Sequence, residues 1–432
     1  MINLKEKKAK IRKISMIKNK GYVDQVIGLT IYSIGPRASI GELCYINNDK
    51  EQIAAEVVGF RNDKILLMPL DLFAGIHPGS EVIATGRMLN VKVSEDLRGR
   101  VLNALGEPLD GLDSIDGKPY FLNNTPPHPL QRKRIDETLE FGVKVMDGLL
   151  TCGVGQRLGI FAGSGVGKST LLGMISRNSK ADINVIALIG ERGREVKEFL
   201  EKDLGPEGLE RSVVVVASSD QPALYRIKGA YTATAIAEYF RDEGYNVMLM
   251  MDSVTRFAMA QRELGLAIGE PPATKGYTPS VFAELPKLLE RAGASDKGTI
   301  TGLYTVLVDG DDMNEPIADA VRGILDGHVV LSRKIAMQNH YPSVDVLNSV
   351  SRVMKEIIDP EHYDLSQSIK ELLATYNDAK DLIDVGAYVK GSNPKIDLAV
   401  SKIDQINQFL NQQVYESVSM EDTLSVMKSI MK

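Results

Sequence analysis

Cysteine is almost absent from this chain: Cys44 and Cys152 are the only two, far apart and outside any C-x-x-C pair. That excludes a disulfide framework and a thiolate zinc site, and a reducing cytoplasm is the expected compartment. No run approaches the ~20 uninterrupted apolar residues that cross a bilayer. The N-terminus lacks the apolar core and small-residue cleavage site of a secretory signal, so the chain is expected to stay on the cytoplasmic side. The five histidines, His77, His128, His328, His340 and His362, are scattered without metal-ligand spacing such as H-E-x-x-H and are assigned no chemistry. A positive excess is missing too, because a net charge of -6 does not mark a nucleic-acid binder. There is no short internal repeat and no low-complexity tract, which excludes a solenoid.

What remains is a chain of 432 residues, 44% apolar and 25% charged, in the range of soluble globular proteins. It is longer than one hydrophobic core usually serves, so two or three domains are expected. One local departure is the start, where Lys5, Lys7, Lys8, Lys10, Arg12, Lys13, Lys18 and Lys20 face the single acid Glu6. Ile11, Ile14 and Ile17 recur inside that basic arm at a three-residue spacing, an apolar stripe if the arm is helical. Docking to a partner helix, adsorption to an anionic membrane surface and a solvated, frayed end all suit this pattern.

From Tyr22 to about Val93, short apolar runs such as Val26-Ile27-Gly28-Leu29 and Ile65-Leu66-Leu67-Met68 alternate with turn residues such as Asn47-Asn48-Asp49 and Asn62-Asp63, which reads as a small all-β module. Gly99, Gly106, Pro108, Gly111 and Gly117, then Pro126, Pro127 and Pro129, mark a connecting segment. Between about Arg132 and Arg352, apolar runs (Leu158 to Phe161, Val185 to Ile189, Val213 to Ala217, Val247 to Met251, Tyr304 to Val308) alternate with helix-like stretches. Continuous apolar runs are how strands buried on both faces of a parallel sheet read, so an α/β domain is expected. After Pro360 only helical spacings remain, over Leu365 to Leu382 and Ile396 to Phe409. The expected division is an arm over 1–20, the all-β module over 21–94, the α/β domain over 95–355 with a linker-like start to 130, and a helical domain over 356–432.

The run Leu158-Gly159-Ile160-Phe161 leads into Ala162-Gly163-Ser164-Gly165-Val166-Gly167-Lys168-Ser169-Thr170, followed by the helix-like Leu171-Leu172. Strand, glycine-rich loop and helix are the context a P-loop needs. Glycines let the backbone wrap phosphates so that successive N–H groups and the helix N-terminus face negative charge. Lys168 then reaches the β/γ-phosphates of a nucleoside triphosphate and the Ser169 hydroxyl binds Mg²⁺. Ala162 departs from the strict pattern, which asks for glycine there; Gly163 and Gly165 remain. A second apolar run, Val247 to Met251, ends on Asp252, the expected Mg²⁺-associated carboxylate, although apolar strands ending in Asp are common. Hydrolysis also needs a group that orients water, and Glu191, just after Val185 to Ile189, is the candidate. A solvated acidic–basic loop explains Gly190-Glu191-Arg192-Gly193-Arg194-Glu195 nearly as well from pattern alone.

Gly190 to Glu195 and Pro342-Ser343-Val344-Asp345-Val346-Leu347-Asn348-Ser349-Val350-Ser351 resemble signatures of the hexameric ATPase family that includes rotary ATP-synthase catalytic subunits and type III export ATPases. The resemblance covers nearly the whole chain. Gly276-Tyr277-Thr278-Pro279-Ser280-Val281-Phe282, Leu288-Leu289-Glu290-Arg291, Asp309 to Ile317, Asp326-Gly327-His328 and Gly386 to Ser392 look like the export branch, and Gly155 to Met174 is most similar to its flagellar members, with the injectisome ATPases as neighbours. The resemblance implies a RecA-like P-loop core between an N-terminal β-barrel and a C-terminal helical domain, hydrolysing ATP with Mg²⁺. It implies Glu191 as the residue activating water, Arg192 near the γ-phosphate, Tyr341 against adenine, and Arg352 as an arginine finger supplied across a subunit interface. An ordinary packed tyrosine before Pro342 is the plainer reading of Tyr341.

With both Glu191 and Arg352 in one polypeptide, a ring of identical subunits can complete every interface, and a homohexamer is expected. The resemblance also implies a regulatory stator-like protein on the arm, a central coiled-coil stalk, chaperone-bound export substrates and a membrane export gate that the protein meets peripherally at the inner membrane, with no nucleic acid among its partners. Rival readings are a rotary ATP-synthase subunit and a ring-shaped RNA motor. The motor needs stacking aromatics on a basic groove, which Tyr22 to Val93 does not announce.

Overall fold

The computed structural model describes residues 19–48, 51–71, 74–308, 310 and 312–432. The basic arm, apart from Asn19 and Lys20, lies outside the described residues, as do Asp49, Asp309 and Asp311 of the sequence patterns above.

Six strands, Lys20–Ile27, Thr30–Ile34, Glu42–Asn47, Gln52–Arg61, Lys64–Pro69 and Glu81–Met88, close into a barrel in which the first lies between the second and the sixth. Alternation explains the closure. In Glu42–Asn47 every second residue is buried, and Val23, Ile31, Cys44, Ile46, Val57, Leu67 and Val82 meet inside as one apolar cluster. Asn62 and Asp63 connect paired Arg61 and Lys64 with φ of 49° and 60°, the left-handed geometry of a two-residue hairpin turn. The barrel rests on the next domain through Met68 and Leu70 against Leu224, and through a buried ion pair of 2.6 Å between Lys228 Nζ and Glu56 Oε2.

The central sheet runs in the order Val344–Ser351, Gly327–Leu331, Arg157–Ala162, Thr299–Leu307, Asn246–Asp252, Ile183–Ile189, Ser212–Ala217 and Val101–Asn103. These neighbours pair in parallel except Val344–Ser351, which is antiparallel to Gly327–Leu331. Every residue of Ile183–Ile189 and Ser212–Ala217 is buried, as the continuous apolar runs predict for strands covered on both faces. One face packs under helices Ala223–Asp242, Val254–Ala267 and Pro279–Leu289, and the other under Lys168–Asn178 and the C-terminal helices. The glycine- and proline-rich segment is more than a connection: Val101–Asn103 joins the sheet edge in parallel register with Val214 to Val216.

The tail forms helices Pro360–Asp384, Pro394–Leu410 and Met420–Met431. Their starts are capped by Asp359, Asn393 and Ser419, whose side chains accept from His362, Lys395 and Asp422 backbone N–H groups. The third helix lies beyond the two that apolar spacing predicted. It packs with Phe409 on the short helix Lys144–Leu149, where a Cβ on Gly148 would meet Met427 Sδ at 2.8 Å. Among the described residues, no helix is long and apolar enough to cross a membrane.

Candidate nucleotide site

Strand Arg157–Ala162 delivers its backbone into the turn Gly163 to Gly167 at the C-terminal edge of the sheet, where open α/β sheets bind ligands. Gly165 and Gly167 have φ of 75° and 90°, a region glycine enters without strain, and Gly167 caps the helix Lys168–Asn178. The first N–H groups of that eleven-residue helix therefore face the loop. Val166 is buried and supplies backbone only; its carbonyl accepts from Ser343 Oγ at 2.6 Å.

Two further strands bring carboxylates to the same edge. Asn246–Asp252 ends on Asp252, 3% exposed, whose Oδ1 accepts from Thr305 Oγ1 at 2.7 Å. Ile183–Ile189 runs into Gly190 and Glu191; Gly190 has φ of 70°, and a Cβ there would meet Arg256 Cβ at 2.8 Å. Lys168 Nζ lies between the two acids, 2.5 Å from Asp252 Oδ1 and 3.5 Å from Glu191 Oε1. Burial works against the ammonium, yet the charges of Asp252 and Glu191 more than offset it, and the Lys168 pKa is raised. Glu191 moves the other way for a carboxylate. Burial foremost, with the Asp252 charge adding and Lys168 opposing, pushes its pKa up to about 7. A hydrogen bond from Glu191, then the nearby Arg192 charge, holds Glu195 below its ordinary range.

Lys168, Glu191 and Glu195 border a cavity of about 480 Å³ together with Ser164, Ser169 and Thr170. Thr170 also hydrogen-bonds the Asp203 carboxylate. Ser169 and Asp252 share a narrow crevice with Glu191, Glu195 and the apolar Leu188, Val196 and Phe199; among the described residues no three His, Cys, Asp or Glu side chains converge as a metal site, but a hydroxyl beside a carboxylate is the oxygen pair a hard cation such as Mg²⁺ takes.

Residues 142–351 match the ATP synthase alpha/beta family, nucleotide-binding domain; residues 23–86 match the beta-barrel domain of that family; residues 358–429 match the T3SS EscN ATPase C-terminal domain. The flagellum-specific ATP synthase of Bacillus subtilis (strain 168) is 59% identical over 417 residues, 96% of this chain and 95% of the relative. The type 3 secretion system ATPase of Xanthomonas euvesicatoria is 50% identical, over 95% of this chain and 93% of its own length. The chain belongs to the flagellar and type III secretion ATPase family. The assembled ATPase EscN from the enteropathogenic E. coli type III secretion system superposes with a TM-score of 0.91 at 45% identity, covering 95% of this chain and 100% of EscN. The chain is thus an ATPase with a barrel, an α/β core and a helical C-terminal region, as the sequence motifs implied.

The structure brings most of the expected residues of this ATPase together. Gly163, Ser164, Gly165, Gly167, Lys168, Ser169 and Thr170 border the same cavity as Glu191 and Arg192. Arg192 is largely exposed, with Nη1 3.2 Å from Glu195 Oε1. Tyr341 comes from the segment just before the edge strand Val344–Ser351, is 39% exposed, and its ring lies over Gly167, where a Cβ would be 3.4 Å from Tyr341 Cδ1. The Tyr341 carbonyl accepts from the Gln412 backbone at 2.9 Å, so the C-terminal domain braces this side of the loop. Arg352 is not gathered into the site. It follows Val344–Ser351, the outermost strand on that side, is exposed, and points Nη2 at the Arg322 carbonyl at 3.2 Å.

Sequence reasoning missed Arg256 as a member of the site. It borders the cavity one helical turn after Asp252, and its buried Nε has no hydrogen-bond partner among the described residues. A basic residue in the first turn of the helix that follows the strand-end acid was the available signal.

Proposed function

We propose that this chain hydrolyses Mg-ATP at the interfaces of a homohexameric ring and so energises type III protein export, in its flagellar form. The observation that carries the reading is Lys168 held between Asp252 and Glu191 at the head of a glycine-rich loop. Gly163, Ser164, Gly165, Val166 and Gly167 would cradle the phosphates through backbone N–H groups, with Lys168, Ser169 and Thr170 at the helix start. Ser169 and Asp252 would hold Mg²⁺, which when bound supplies charge neutralisation across the phosphates. Glu191 would orient the attacking water and take its proton, a role helped by a carboxyl that titrates near neutrality. Arg256 and Arg192 stand on the cavity wall where phosphoryl charge develops. Tyr341 would pack on adenine, its ring beside Gly167 supporting that placement.

Arg352 lies outside the site of its own subunit, and we assign it to the neighbour's site as a finger in trans. A second copy is therefore needed for turnover. The assembled EscN, and EscN in complex with its central stalk EscO, to which this chain superposes with a TM-score of 0.89, favour an assembly with a central stalk for this chain, and we read it as a ring around a coiled coil. The arm over 1–20 would bind a stator-like regulator, the body over 21–94, 95–355 and 356–432 would form the ring, and chaperone-bound substrates and the membrane export gate would complete the partners, with the protein cytoplasmic and peripheral to the inner membrane. The injectisome reading stays close, given 50% identity to the Xanthomonas enzyme.

ATP hydrolysis per mole of full-length chain, measured over a dilution series with mass photometry at each point, tests the ring. Specific activity should collapse as the protein becomes monomeric. Activity unchanged in clearly monomeric protein, or stimulation by RNA alone, would overturn the reading.

A further inference from the structure

Arg352 is anchored by its backbone. Its N–H donates to the Asp326 carbonyl at 3.0 Å, while its exposed guanidinium donates through Nη2 to the Arg322 carbonyl at 3.2 Å. The residue before it is held just as firmly: Ser351 Oγ donates to the Thr151 carbonyl at 2.8 Å and accepts from Gln156 Nε2 at 3.0 Å. Gln156 is fully buried, and the same Nε2 also donates to the Asp326 carbonyl, at 2.9 Å. One oxygen, the main-chain carbonyl of Asp326, thus sets where the backbone of Arg352 lies.

That carbonyl is in turn fixed by its own side chain. The Asp326 carboxylate takes a two-pronged contact from Arg157, Nε to Oδ2 at 3.0 Å and Nη2 to Oδ1 at 3.2 Å, and the Asp326 N–H donates to the Arg157 carbonyl at 2.8 Å. Paired parallel bonds of this kind fix orientation as well as distance. Arg157 Nη1 also forms an ion pair with Glu290 Oε1 at 2.6 Å. Gly327, next in the chain, has φ of 151°, and a Cβ there would lie 2.4 Å from the Val350 carbonyl; the turn has no slack in which to shift. Arg157 opens the very strand, Arg157–Ala162, that ends in the phosphate loop.

We propose that Asp326, clamped by Arg157, is the positioning residue for Arg352, tying the finger that a subunit offers its neighbour to the strand that carries that subunit's own phosphate loop. This rests on the reading of Arg352 as a finger in trans. Asp326 touches no reacting atom. It acts by holding Arg352 where the neighbour's transferring phosphoryl group develops charge, and a shift of about 1 Å in such a group costs about 10²-fold in rate.

The test uses full-length chains in the assembled state. Asp326→Ala and Asp326→Asn should lower kcat by about 10²-fold with KM for ATP and nucleotide binding unchanged. Combining Asp326→Ala with Arg352→Ala should be no worse than Arg352→Ala alone. Mixed assemblies separate the causes. Lys168→Ala chains, whose own site is dead but whose finger is intact, should restore hydrolysis when mixed with Asp326→Ala chains, as they should with Arg352→Ala chains. Recovery with Arg352→Ala but not with Asp326→Ala overturns the clamp, because the defect then lies in the subunit's own site. Recovery with neither overturns the finger in trans. Wild-type kcat in both Asp326 variants also overturns the clamp, and if Asp326→Ala fails to fold, Asp326→Asn, which keeps the side-chain shape and one acceptor oxygen, is read in its place.

Discussion

Lys168 Nζ stands 2.5 Å from Asp252 Oδ1, and the same ammonium is 3.5 Å from Glu191 Oε1, so one cation is shared by two carboxylates that arrive from two different strands. The arrangement keeps Lys168 charged inside a buried site and leaves Glu191, the more distant acid, only partly compensated.

Removing the cation exposes that balance. Lys168→Ala should abolish hydrolysis and also destabilise the chain by about 3 kcal/mol, because breaking a buried pair leaves Asp252 uncompensated. Adding Asp252→Asn should restore much of the lost stability without restoring activity. Urea denaturation of the four species in the cycle checks it, and strictly additive effects would show that the pair is not coupled.

Activity should depend on pH through Glu191. Its folded pKa of about 7 lies above the ordinary value of 4.5, so the carboxyl is protonated below that range and ionised above it. If the ionised form takes the proton from water, kcat/KM rises with pH through about 7. Stability runs the opposite way. Between 4.5 and about 7 the folded chain keeps a proton that the unfolded chain has released, so this group weakens the fold as pH rises across that window. Glu191→Gln should cut kcat by about 10²- to 10⁴-fold, retain nucleotide binding and remove the stability slope. A low-pH limb that persists in Glu191→Gln would assign the titration to another group.

Base recognition by Tyr341 predicts a binding effect with little effect on chemistry. Tyr341→Ala should raise KM for ATP about tenfold and flatten the preference for ATP over nucleotides with other bases, whereas Tyr341→Phe should stay near wild type, since stacking is worth about 1–3 kcal/mol and needs no hydroxyl. Unchanged KM in Tyr341→Ala would reduce the ring to a brace for Gly167.

The barrel is held to the core by charge as well as by apolar contact. Lys228 and Glu56 are 5% and 7% exposed, and their 2.6 Å contact crosses the domain junction. Lys228→Ala should cost about 3–5 kcal/mol, while replacing both with apolar residues of similar volume should be near neutral. Thermal melts of the single and double variants decide; equal losses in both would mean that Lys228 acts by packing alone.

Local sequence determined much of this protein. The phosphate loop was legible because its glycines, Lys168 and Ser169 are consecutive residues whose conformation follows from their own φ preferences and from the helix they begin. The strands over Val185 to Ile189 and Val213 to Ala217 were legible because burial on both faces demands unbroken apolar runs. Asp252 was legible as the acid ending such a run. Tertiary structure alone decided what depends on chain segments meeting across long separations. Val101–Asn103 became a sheet edge only because Ser212–Ala217 offered unpaired backbone groups beside it. Tyr341 met Gly167, and Arg256 met the cavity, through packing that no spacing records. The near-neutral Glu191 required burial and the unequal distances of Lys168 to two acids, since a pKa belongs to an environment rather than to a residue. Arg352 was kept out of its own site by strand order, and the clamp of Arg157 on Asp326 joins residues 169 positions apart that only the parallel sheet places side by side.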